Sequence, residues 1–155
     1  MHAAGSRIGR PLALGAAFGV ALGLGLYTIR YAEALSYLSD DPRACVNCHI
    51  MREQFEGWLK GPHAAVATCN DCHVPHDFFG RWLSKGLNGF HHSRAFTFQD
   101  FHEPIQITER NARALQQGCL HCHGEFVQEI HAARGVREDV RCASCHRGVG
   151  HGPTR

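Results

Sequence analysis

Four times in this chain two cysteines stand three positions apart with a histidine directly behind them. The copies are Cys45, Cys48 and His49; Cys69, Cys72 and His73; Cys119, Cys122 and His123; Cys142, Cys145 and His146. All eight cysteines of the 155 residues fall in these copies and none is left over. The spacing suits covalent attachment of haem c. Each sulfur forms a thioether with one side of a porphyrin, and one turn of chain brings the next imidazole under the iron. Zinc sites and redox-active cysteine pairs share the C-x-x-C spacing, but neither has a reason to place histidine after every pair. Four covalently bound haem c groups are therefore the expected cofactors.

Iron in such a group takes two axial ligands, from histidine, methionine or occasionally lysine. His73, His123 and His146 are the ligands given by their own motifs. Opposite ligands must come from the spare histidines, which are His63, His76, His91, His92, His102, His121, His131 and His151 beyond the N-terminal segment. The first motif differs from the others. Met51 is the single methionine besides the initiator and sits two residues after His49. Either Met51 or His49 can therefore serve the first iron.

These groups need elements to hold them outside the cytoplasm, where haem is joined to cysteine. From Pro11 to Ile29 run nineteen residues without a charge, about 28 Å of helix and enough to cross a bilayer. Arg7 and Arg10 precede the run and no acidic residue appears before Glu33, which orients the N-terminus inward. The expected domains are a basic cytoplasmic lead (1–10), a transmembrane anchor (11–29) and a periplasmic haem domain (30–155) on a bacterial inner membrane. A cleaved leader is the competing reading, because Ala32-Glu33-Ala34 resembles a processing site. Gly15, Gly19 and Gly23 share one helix face and suit close helix–helix dimer contact, although glycine is common in membrane helices anyway. Tyr31 to Arg43 is expected to continue as helix until Asp40-Asp41-Pro42. Chain reach then keeps the first haem near the bilayer surface.

The motifs begin 24, 50 and 23 residues apart, which predicts two haem pairs. A chain of this length has a modest apolar interior, and porphyrin faces must supply much of it. The fold class is mostly α with extensive loops and negligible β, its helices few and short. In the long interval Pro75–Gly118, Phe78, Phe79, Phe90, Phe96, Phe98, Phe101 and Trp82 alternate with Arg81, Lys85 and Arg94. That mixture suits a segment resting on membrane lipid, or rings packed on haem faces. Glu109–Gln117 reads as a short helix with Gly118 as its stop. A formal net charge of +2 without basic tracts speaks against nucleic acid as a partner.

The basic lead, the anchor, four C-x-x-C-H sites and the extension of the first to CVNCHIM resemble the NapC/NirT group of membrane-anchored quinol dehydrogenases. Length and that extension are most similar to its smallest branch, the tetrahaem NrfH-type subunits of cytochrome c nitrite reductase. CNDCHVPH and CASCHRGVGH add to the match. The resemblance implies menaquinol as substrate and a periplasmic multihaem nitrite reductase as partner. It implies Met51 rather than His49 as the haem 1 ligand, with His63 and His151 as opposite ligands. Its quinol pocket uses a lysine and, seven residues on, an aspartate. Lys85 matches the first, but His92, preceded by His91, stands at the second position. An imidazole there can accept the quinol proton or bind iron. The alternatives are an electron donor to a nitrate or trimethylamine oxide reductase, and a soluble tetrahaem shuttle.

Overall fold

Helix α1 spans Gly5–Tyr31 in a computed structural model that describes residues 5–134 and 140–152, with side chains described for 9–130 and 140–152. Residues 1–4, the Arg7 side chain and the His131 ring lie outside that description. Within α1, Gly9–Tyr31 is a 23-residue stretch long and apolar enough to cross a membrane. Nothing stands within 4 Å of where a Cβ would project from Gly15, Gly19 or Gly23. The helix does not continue to Arg43 as expected. Glu33 takes a left-handed φ of 49°, which breaks the helical ladder, and Ala34–Leu38 forms a separate 3-10 turn. Residues 1–36 make one compact unit and 37–155 a second.

The second unit is all helix and loop, with no strand among the described residues. Helix α2 (Pro42–Cys45) starts behind Asp41, whose carboxylate caps the Arg43 amide. Helix α3 spans Arg52–Leu59. Helix α4 (Cys69–His73) opens on a capping box in which Thr68 and Asp71 satisfy each other's amides, a local reason for helix at the second motif. Helix α5 (Phe78–Phe98) is capped by Asp77 through the Gly80 amide and closed by Gln99 at φ 55°. Helix α6 covers Glu109–Arg134 and α7 covers Cys142–Cys145.

Two expectations are corrected here. Helices are not uniformly short, since α5 has 21 residues and α6 has 26. Gly118 is also not a stop, because α6 runs through it and through the whole third motif. A Cβ at Gly118 would lie 2.8 Å from the Asp71 carbonyl oxygen and 3.2 Å from that of Cys72. Glycine is there so that α4 can lie against α6, bringing the second motif to the third. Gly118→Ala is therefore expected to lower stability by about 1–3 kcal/mol through overpacking. Urea melts of the haem-loaded protein measure it, and an unshifted midpoint would mean that α4 can move away at no cost.

Among the described residues only Val74, Ala112 and Ala114 form a buried apolar core, and no large side chain is fully buried. Polar ties carry much of the assembly. Asn88 on α5 accepts from Arg110 Nη2 at 2.8 Å and Asn111 Nδ2 at 3.2 Å on α6. On α5 the two faces differ sharply. Ser84 and Lys85 are buried, whereas Phe79, Leu83, Phe90 and Phe98 lie exposed at spacings that put them along the opposite side.

Candidate functional site

The four cysteine pairs meet in order. All eight thiols are free. The Cys69 thiol donates to Cys45, which holds Cys45 below the usual thiol range. The Cys119 thiol is hydrogen-bonded to Cys142. Cys72 lies within electrostatic range of Cys122 and Cys119, bridging the second motif to the third. The first motif thus adjoins the second, the second the third and the third the fourth, one continuous row in which the intervals alone do not mark off two pairs. Local ties explain it. Asn70 Nδ2 donates to the Ser39 carbonyl at 3.0 Å and to Asp40 Oδ1 at 2.6 Å, drawing the second motif to the segment before the first. Gln116 Oε1 accepts from the Cys142 amide at 2.9 Å, and Arg141 pairs with Glu109 at 2.5 Å, fixing the fourth motif to α6.

Two pairs of imidazoles stand at a diagnostic separation. The ring centres of His73 and His151 are 5.8 Å apart with planes at 18°, and those of His63 and His123 are 6.2 Å apart at 73°. Two metal–nitrogen bonds of about 2.0 Å, with the two ring radii of roughly 1.2 Å, add up to about 6.4 Å, a little more than either separation. His151 Nδ1 donates to the Gln54 carbonyl at 2.9 Å. That leaves Nε2 as the unprotonated nitrogen, the arrangement by which ligating histidines are usually oriented. Gly57 makes room for it, since a Cβ there would run into the His151 carbonyl. His73 is held down to about 4 by burial and then by the neighbouring His151, so it stays neutral and able to bind metal. His63 Nδ1 is buried with no hydrogen-bond partner. Two other spare histidines, His76 and His121, stack at 4.0 Å, too close to hold a metal between them. His146 is exposed, and no second imidazole faces it among the described residues. In the first motif His49 is exposed while Met51 is half-buried at the start of α3.

Lys85 and His92, expected to serve one pocket, lie on the same side of α5 and both meet the segment 37–40. Lys85 Nζ donates to Leu38 O at 3.2 Å, Ser39 O at 3.1 Å and Asp40 Oδ1 at 2.8 Å. All three ammonium hydrogens have acceptors, so Lys85 is a buried tie between α5 and residues 38–40. Arg81 pairs with the other Asp40 oxygen. The hydrogen bond from Lys85, with that from Asn70, pulls Asp40 down to about 2. His92 Nδ1 lies 2.7 Å from the Tyr37 hydroxyl. The His92 ring is exposed at its edge, yet enough of it is covered that desolvation, followed by His91, lowers its pKa. Of the remaining groups read from sequence, Asp100 is paired with Arg94 at 2.7 Å. Sequence reasoning missed Tyr37, which no motif includes.

Paired free thiols, imidazoles at two-bond separation and an interior short of large side chains fit covalently bound haem c. Residues 9–155 match the model of the NapC/NirT cytochrome c family, N-terminal region. The chain is 36% identical to the cytochrome c-type protein NrfH of Wolinella succinogenes, over 89% of this chain and 84% of that one. It is 29% identical to the cytochrome c-type protein NapC of Escherichia coli K12, over 69% of this chain and 66% of that one. Among solved structures it is similar to the cytochrome c nitrite reductase NrfHA complex bound to the HQNO inhibitor. That likeness has a TM-score of 0.65 at 26% identity and covers 93% of this chain and 92% of the other.

Proposed function

The chain belongs to the NapC/NirT cytochrome c family, and on that premise we propose that it is a membrane-anchored menaquinol dehydrogenase feeding a periplasmic multihaem nitrite reductase. The observation that carries this reading is the near full-length likeness to an NrfHA complex. Four haem c groups, when bound, supply a row of one-electron carriers. Cys45 with Cys48, Cys69 with Cys72, Cys119 with Cys122 and Cys142 with Cys145 hold them. His73 with His151 and His123 with His63 would hold the iron of two of them; His146 would serve another, and Met51, in preference to His49, the first.

Menaquinol gives up two electrons and two protons. His92 Nε2 accepts a proton from a quinol oxygen, a task suited to an imidazole that desolvation keeps neutral by lowering its pKa. Lys85 orients that oxygen indirectly, by fixing residues 38–40 across α5 beside His92. The exposed aromatic side of α5 rests in the lipid interface, where rings with nearby arginines are stable. The face carrying Gly15, Gly19 and Gly23 is open to a second transmembrane helix.

Detergent-solubilised protein, purified from native membranes without cross-linking, tests the reading. Expected are an N-terminus preserved through residue 30, a co-purifying multihaem nitrite reductase, and nitrite-dependent oxidation of a menaquinol analogue. An N-terminus at Leu35 would instead identify a soluble shuttle. Co-purification with a nitrate or trimethylamine oxide reductase would favour the second reading, which the similarity to NapC keeps in view.

A further inference from the structure

The geometry points to Tyr37 as the positioning residue for His92, holding the imidazole so that Nε2, not Nδ1, is the proton-accepting nitrogen. The inference rests on the quinol reading above and extends it to a residue outside every motif. Its basis is a built contact along one stripe of α5. Lys85, Gly89 and His92 are four and seven residues apart and so share a face. Each meets the segment 37–40: Lys85 through three acceptors on Leu38, Ser39 and Asp40, Gly89 through the Tyr37 ring, and His92 through the Tyr37 hydroxyl. A Cβ at Gly89 would stand 3.5 Å from the Tyr37 ring, ordinary contact distance, so the ring lies over this position of α5. The two rings are tilted by 53° with centres 5.9 Å apart, which leaves the hydroxyl in line with Nδ1.

The chemistry follows from the 2.7 Å contact. An imidazole that accepts a proton at Nε2 must carry its first hydrogen on Nδ1, and that N–H donates to the Tyr37 oxygen. Once Nε2 is protonated the same bond grows stronger, because a hydrogen bond to the charged form favours it. Tyr37 therefore raises the basicity of His92 without becoming charged. Burial pushes the phenol up to about 12, so it remains a neutral partner throughout. Other charges near the pair work against protonation of His92. His91 adjoins on α5 and lowers it, Asp40 is outnumbered by its partners Lys85 and Arg81, and the Cys45 and Cys48 sulfurs near Tyr37 would carry no charge as thioethers.

Tyr37→Phe keeps the ring on Gly89 and removes only the oxygen. Two measurements on the full-length, haem-loaded protein in detergent test the inference. The first is carbethoxylation of His92 by diethyl pyrocarbonate across pH, followed by mass spectrometry; it reads the neutral imidazole and needs no quinol. Its midpoint is expected to fall by about one pH unit in Tyr37→Phe. The second is oxidation of a menaquinol analogue across pH. Its plateau should drop about tenfold and its acid limb should move to lower pH with the midpoint. Haem content should be unchanged. A lower plateau with no movement of either midpoint would overturn the inference, because a merely structural tyrosine predicts that pattern. An unshifted midpoint together with full activity would overturn it as well. Should the carbethoxylation midpoint move while both Tyr37→Phe and His92→Ala oxidise quinol at the wild-type rate, the pairing stands and the quinol reading fails.

Discussion

His151→Ala is expected to convert one low-spin haem to high spin, so that about a quarter of the iron in a four-haem protein changes its absorption and magnetic signature. The expectation follows from geometry that the resemblance alone does not supply. The His73 and His151 rings are 5.8 Å apart, and the Gln54 carbonyl takes the Nδ1 hydrogen of His151. The other nitrogen is thereby free and held in place. The close approach of the His151 carbonyl to Gly57 involves backbone alone, so removing the ring leaves that contact in place. Added imidazole should restore the low-spin spectrum, since the space it would fill is the one vacated. His63→Ala should give the same result at His123. His76→Ala is the control: its ring stacks on His121 at 4.0 Å, so its loss should leave every spectrum intact. A His151→Ala protein with an unaltered spectrum would refute the assigned pair.

Much of this organisation is legible in the sequence because it is written in short-range spacing. The four motifs and the apolar N-terminal helix need only local spacing and composition, and attachment chemistry fixes the spacing within each motif. What is not legible depends on distant chain. Gly118 looks like a helix stop because glycine usually is one locally. Its role depends on the Asp71 and Cys72 carbonyls, some forty-odd residues earlier. Lys85 looks like an available cation until the carbonyls of Leu38 and Ser39 are seen to occupy it. The end of α1 at Tyr31 was hidden because Glu33, unlike glycine or asparagine, gives little sign of a left-handed backbone. Tyr37 is the clearest case. It meets His92 across 55 residues, and a tyrosine in a linker carries no sequence mark of that contact.

Replacing His92 tests the centre of the proposal. His92→Ala is expected to lower menaquinol oxidation by at least about a hundredfold, the scale of a lost general base, while leaving haem content and spectra unchanged. His92→Asp should recover part of the rate, because a carboxylate can also accept the quinol proton and can itself accept from the Tyr37 hydroxyl. The pH dependence tells the two bases apart. An imidazole titrates near 6.5 and here is lowered by desolvation and His91; a carboxylate titrates near 3.9, and the same desolvation raises it. The two values approach each other, so the acid limb of His92→Asp should lie below that of wild type by less than the gap between a free imidazole and a free carboxylate. In both enzymes the rate rises with pH through the limb, since the base must be unprotonated to act. If His92 instead binds iron, the alanine variant will show a new high-spin haem. If it keeps full activity and unaltered spectra, the proton goes elsewhere, with His91 the adjacent candidate and Asp100 disfavoured by its pairing with Arg94.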